Sequence, residues 1–164
     1  MALLLALTLA LVCTVQALAA PAAPGLRVKL LDSERTFDSR EMMGKKVVVL
    51  RFQASYCKPC VREAEGFAKL VHHYRDSEVE FLALHVQDAT ADARRFARDH
   101  RANYAIALDP KLTIGNRYGL KGTPYTVVID RKGEIAARLP GESAITRLPR
   151  VIDDALRRGV TKSQ

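Results

Sequence analysis

The chain has 164 residues, 48% apolar and 27% charged, enough to bury one substantial core and too few for two comfortable domains. Twenty-six Lys and Arg against eighteen Asp and Glu give a formal charge of +8, and no charged side chain precedes Arg27, so the basicity belongs to residues 27–164. Aromatic residues are sparse, yet Leu, Val, Ile and Ala recur too periodically for a disordered chain, and the basic residues form no concentrated arm of the kind that binds nucleic acid.

Residues 3–15 are an apolar run broken only by Thr8 and Thr14, and Ala17-Leu18-Ala19-Ala20 before Pro21 fits a cleavage site. Residues 1–20 therefore read as a secretory signal, although no Lys or Arg opens it. The rival reading is an uncleaved membrane anchor, for which the run is short against the roughly 20 residues a spanning helix needs. A lipid-attachment site at Cys13 is disfavoured by the bulk of Val12. Residues 21–26 then form a short Pro/Ala tether, 27–158 one domain and 159–164 a tail.

Along the domain, strands and helices alternate. Residues 27–31 and 36–37 suggest a hairpin. Residues 45–52 are a largely continuous β-branched run, the pattern of a central strand covered on both faces. Helical spacing of Val61, Ala64, Phe67, Ala68 and Val71 predicts a helix over 58–74, followed by a buried strand at 79–86. A charged helix at 90–100, a strand at 104–108 and a short helix ending near 118–119 come next. Strands at 126–129 and 134–139 flank the turn Asp130-Arg131-Lys132-Gly133, and a helix over 144–157 carries Ile145, Leu148, Ile152 and Leu156. This order predicts an α/β fold, a mixed sheet with helices on both faces, in which a right-handed crossover makes the strands at 45–52 and 79–86 parallel.

Of three Cys, at 13, 57 and 60, the first departs if the leader is cleaved. A bridge between the remaining two closes almost no loop, so a stapling role explains it poorly. Cys57-Lys58-Pro59-Cys60 lies where the central strand gives way to a helix. There, unpaired N–H groups and the positive end of the dipole stabilise thiolate over thiol, which makes Cys57 the expected nucleophile. Cys60, one turn on, is placed to resolve a mixed disulfide. Pro59 fits the first helical turn and Lys58 adds positive charge. Zinc would need further ligands that the mature chain's Cys content does not provide. Cu(I) is the better metal rival, with Met42, Met43 and four His present, though none stands at a ligand-like spacing from Cys57. His72, His73 and His100 read as solvated and His85 as a satisfied core residue, none of them catalytic.

The run from Phe52 to Cys60 with Glu63, and Tyr118-Gly119-Leu120-Lys121-Gly122-Thr123-Pro124 leading into 125–133, resembles the TlpA/ResA branch of the thioredoxin-like proteins over residues 27–158. The resemblance implies a thioredoxin-like fold with residues 90–108 as a helix–strand insertion, and an exported thiol-disulfide oxidoreductase without a cofactor. It implies that Pro124 is cis and faces the cysteines, with Thr123, Pro124, Tyr56, Lys58 and Pro59 contacting substrate polypeptide. It also makes Glu63 a candidate proton-handling carboxylate near the thiols. Partner proteins with disulfides, as in cytochrome c maturation or copper-site assembly, and a membrane thiol reductase as electron donor are the implied partners. Tyr56 stands where the family has Trp, Gln53 replaces an aromatic, and Glu65 replaces a helix-kinking proline. Arg51 occupies the position of a buried acid; an inward cation there would favour thiolate and make the pair more oxidising. A Cu(I) chaperone and a redox-inert binding module on the same fold remain as other readings.

Overall fold

The computed structural model describes residues 20–142 and 144–158. The expected leader, apart from Ala20, and the expected tail at 159–164 lie outside the described residues.

Arg27–Lys29 (β1) and Thr36–Asp38 (β2) form an antiparallel hairpin, followed by a 3₁₀ turn at Ser39–Met42 that the hydrophobic period did not signal. Val47–Gln53 (β3) and Val79–Val86 (β4) are parallel, joined through Lys58–His73 (α1). Thr90–Asp99 (α2) leads to Ala105–Asp109 (β5), and Thr113–Arg117 (α3) leads to Tyr125–Ile129 (β6) and Ile135–Pro140 (β7). Ala144–Arg158 (α4) follows. The five-stranded sheet has the order β5-β4-β3-β6-β7, with β6 antiparallel to both neighbours. This is the thioredoxin-like mixed sheet; the α2–β5 insertion supplies one edge strand.

The period of two along β3 divides its side chains between two cores. Val48, Leu50, Phe52 and Ala54 join α3, the hairpin and both cysteines. Val47 and Val49 join Phe67 and Val71 of α1 and Leu148 and Ile152 of α4. Most boundaries fall within a residue or two of expectation, but two helical stripes differ. Val61 is 38% exposed, because the inner face of α1 runs through Cys60, Ala64, Phe67 and Val71. In α4 the fully buried line is Ala144, Leu148, Ile152 and Ala155, with Ile145 and Leu156 half-buried at its flanks.

Residues 21–26, expected as a free tether, instead pack on the domain. The Ala23 N–H donates to the Gly133 carbonyl (2.8 Å), and the Ile135 N–H to that of Pro21 (2.8 Å). Tyr118 Oη donates to the Pro24 carbonyl, Arg117 to that of Gly25 (3.0 Å), and Leu26 is 1% exposed. Backbone groups that pair with a strand need no side-chain period to do so, which is why this segment reads as linker. At the opposite edge the Leu31 N–H donates to the Ile106 carbonyl (2.7 Å), so the hairpin covers part of β5.

If residues 21–26 are part of the packed unit, Leu26→Ala should lower unfolding stability by about 2–5 kcal/mol. Denaturant titration of the two chains checks this; a tether residue would give no measurable change.

Candidate active site

β3 ends in a tight turn, with the Cys57 N–H donating to the Ala54 carbonyl (3.2 Å), and α1 starts at once. Cys57 is the N-cap of α1: its backbone is extended and its sulfur accepts from the Cys60 N–H at 3.2 Å. Pro59 sits in the first turn, where its missing N–H leaves no hydrogen bond unmade. Cys57 and Cys60 are disulfide-bonded, Cα atoms 5.2 Å apart, with Cys60 fully buried and Cys57 7% exposed. The cysteine nearer to solvent is thus the one at the helix terminus. Tyr56 is 62% exposed beside it and Lys58 points to solvent.

The β3–β6 register pairs Phe52 with Tyr125, so Thr123 and Pro124 lie alongside the segment that carries β3 into Cys57. The Thr123–Pro124 peptide is cis, Pro124 is buried and Thr123 half-buried. Phe52 packs against Tyr118 and Tyr125, each at 5.9 Å between ring centroids. Tyr125 Oη donates to the Tyr118 carbonyl (3.1 Å), and Gly119, at φ +79°, turns the chain between them. Burial pushes the Tyr118 phenol up to about 12, so it stays a neutral donor. Upstream, the Asp109 carboxylate accepts from Ile114 and Gly115 N–H (3.1 and 2.7 Å) and fixes the start of α3.

The other face of β3 carries the residues that sequence reasoning placed least well. Arg51 is fully buried and points inward, but it is not a lone cation. Its Nη2 donates to Glu63 Oε2 at 2.6 Å, its Nη1 lies 3.4 Å from Thr126 Oγ1, and its guanidinium stands 5.3 Å from the Phe67 ring centroid. Glu63 is one helical turn past Cys60, its side chain 12% exposed. The expectation that an inward Arg51 adds a bare positive charge beside the thiols is therefore corrected: a carboxylate neutralises it at contact distance. Glu65, where a kink was absent from the sequence, points to solvent and pairs with Lys69 along an unbroken helix.

Gln53 lies opposite His85 in the register, and its Nε2 donates to His85 Nε2 at 2.9 Å. That bond leaves the ring proton on Nδ1, which donates to Asp88 Oδ2 at 2.7 Å. Asp88 also accepts from the Ser55 N–H (2.8 Å) and Ser55 Oγ (2.7 Å). Ser55 is two residues before Cys57, so this chain of bonds holds the approach to the site. The signal for it was an amide and an imidazole at matching positions of adjacent strands; Ser55 and Asp88 carried none. His72 and His73 are exposed as expected, whereas His100 is half-buried with its ring 4.5 Å from that of Phe96. Among the described residues no three His, Cys, Asp or Glu side chains converge as a metal site would need.

Burial holds the His85 imidazole below its ordinary 6.5, against the opposing pull of Asp88. A depressed folded value means that the neutral ring's contribution to stability is complete above 6.5 and is lost as the pH falls through the folded value. The His85 resonances should accordingly report a neutral, Nδ1-protonated ring at pH 6.5, and His85→Gln should flatten the loss of melting temperature as the pH falls below 6.5.

Residues 20–138 match the model of the AhpC/TSA family. The thiol-disulfide oxidoreductase ResA of Halalkalibacterium halodurans is 32% identical over 100 residues, which is 61% of this chain and 56% of that relative. The thiol:disulfide interchange protein HelX of Rhodobacter capsulatus is 29% identical over 135 residues, 80% of this chain and 74% of its own. A crystal structure of the thiol:disulfide interchange protein DsbE from Chlorobium tepidum superposes with TM-score 0.75 at 27% identity, over 84% of this chain and 96% of that one. With a disulfide at the N-cap of α1 and a cis-proline at the head of β6, the chain belongs to the AhpC/TSA family and shares the thioredoxin-like fold of the thiol-disulfide oxidoreductases to which it is similar.

Proposed function

We propose that the protein acts outside the cytoplasm as a reductant of disulfides in partner proteins, with Cys57 as nucleophile and Cys60 as resolving thiol. The observation that carries this reading is the Cys57 sulfur at the helix N-cap, accepting the Cys60 N–H at 3.2 Å on the more exposed of the two cysteines. In the reduced protein the same N–H and the helix terminus stabilise a Cys57 thiolate. The thiolate attacks one sulfur of the partner's disulfide; that S–S bond breaks, and the other partner sulfur leaves as thiolate and takes up a proton. Cys60, deprotonated, then attacks Cys57 in the mixed disulfide. The partner's second sulfur leaves, and the intramolecular Cys57–Cys60 bond forms. Two electrons have moved to the partner, and a reductant must restore them.

Tyr56, Lys58 and Pro59 on one side and Thr123 with Pro124 on the other supply the docking contacts for an extended polypeptide. The exposed ring of Tyr56 and the β3–β6 register support that placement. Glu63 takes part through its pair with Arg51 rather than as a free acid. The apolar leader pattern of residues 1–20 supports export, and a membrane thiol reductase fits as electron donor. Exported proteins whose cysteines must be reduced before they bind haem or copper are the substrates this reading assigns.

Cys57→Ser should abolish turnover of a model disulfide substrate, whereas Cys60→Ser should accumulate covalent partner complexes that reductant releases. A fully active Cys60→Ser protein would contradict the assignment. The reduction potential, measured by equilibration with thiol buffers, should lie near about −270 mV; a value near about −120 mV would make the protein an oxidant instead. Absence of a reversible disulfide, with one Cu(I) held per reduced domain, would favour the copper reading.

A further inference from the structure

A fully buried arginine inside a redox domain requires an account of its own. Arg51 is the largest of the fully buried side chains, and its one ion-pair partner among the described residues is Glu63 at 2.6 Å. Its Nε is buried without a hydrogen-bond partner, and the rest of the guanidinium meets Thr126 Oγ1 and the face of Phe67. The guanidinium is thus poorly served by neutral groups, and its charge is met by the carboxylate. Glu63 in turn lies one turn along α1 from Cys60, on the inner side of the helix. Charge in this region acts on the sulfurs through protein rather than through water, where screening is weakest.

We propose that Arg51 is a positioning residue that sets the thiol–disulfide equilibrium of Cys57 and Cys60 through Glu63, cancelling the carboxylate's field and holding it against the sheet. The inference rests on the redox reading of the two cysteines and adds a charge-compensated pair behind them. Each half has a definite sign. Glu63 without Arg51 is a negative charge close to the cysteines, which opposes thiolate and favours the disulfide. Arg51 without Glu63 is a buried cation, which favours thiolate and the reduced protein. Together they leave the sulfurs governed by the helix terminus.

The test is a double-mutant cycle on the full chain, read by two assays that packing alone would not move in opposite directions. The first is equilibration with glutathione at pH 8.5. One glutathione thiolate attacks the Cys57–Cys60 bond, a second displaces it, two glutathiones become one glutathione disulfide, and each cysteine leaves as thiolate or takes up a proton. The second is the rate of Cys57 alkylation by iodoacetamide at pH 7. Arg51→Met should shift the equilibrium roughly tenfold toward the disulfide and slow alkylation; Glu63→Gln should shift it roughly tenfold toward the dithiol and speed alkylation. The Arg51→Met/Glu63→Gln protein should return to within about threefold of the parent, and Arg51→Lys, which keeps the charge, should stay nearer the parent than Arg51→Met. Shifts of the same sign in both single variants, or a double variant displaced by the sum of two same-direction shifts, would overturn the proposal while leaving the redox reading intact. If the parent shows no reversible exchange with glutathione, the redox reading and the inference fall together. Should Arg51→Met fail to fold, the sign of the Glu63→Gln shift decides alone: movement toward the disulfide overturns the proposal.

Discussion

The central strand has no face to solvent, and it nevertheless carries an arginine and a glutamine. All seven residues of β3 are buried, so Arg51 and Gln53 must find partners inside the protein. An unpaired buried amide costs about 1–3 kcal/mol, and stripping a buried ion pair of one partner about 3–5 kcal/mol. The partners they take determine the surroundings of the dithiol. Arg51 reaches across to Glu63 on α1, and Gln53 reaches sideways to His85 on β4, from which Asp88 and Ser55 continue. One set of bonds ends three residues after Cys60 and the other two residues before Cys57. The polar residues of β3 therefore brace the CxxC segment from both of its ends.

This arrangement leaves the electrostatics of the sulfurs mainly to the backbone. Lys58 is exposed, where water and salt weaken its field. Arg51 is neutralised by contact with Glu63. What remains is the N-terminus of α1 and the Cys60 N–H, both fixed in position by the fold. In the proposed role of Cys57 as nucleophile, fixed dipoles of this kind cost no reorganisation when charge appears on its sulfur. The apolar bed formed by Phe52, Tyr118 and Tyr125 lies on the opposite side, tied through Tyr118 and Arg117 to residues 24 and 25.

What the sequence made legible was local. The alternation of strands and helices, the CxxC at the strand–helix junction and the Gly-x-Pro block each depend on neighbours in the chain, so period and motif sufficed to find them. Features that depend on contact between distant segments were missed or half-read. An arginine inside an apolar run announces a buried counter-charge, but Glu63 and Glu65 were both available on the next helix, and only packing selects the first. The α4 stripe was read through its large residues, whereas close approach to the sheet puts Ala144 and Ala155 on the fully buried line. Residues 21–26 have no period at all, because they are held by hydrogen bonds to their main chain and by Leu26 in the apolar core, with Ala23 packed at its edge.

The register of β3 is itself part of the chemistry. Alternate residues serve opposite purposes: Val48, Leu50, Phe52 and Ala54 line the apolar core that holds the cysteines, while Arg51 and Gln53 project into the polar set on the α1 side. A slip of one residue against β4 and β6 would exchange the two sets, placing a guanidinium in the bed of the disulfide and a phenylalanine against Glu63. Seven paired positions with β4 and five with β6 hold the register against such a slip. The burial of β3 on both faces thus does more than stabilise the sheet: it fixes which side of the dithiol is apolar and which is charged.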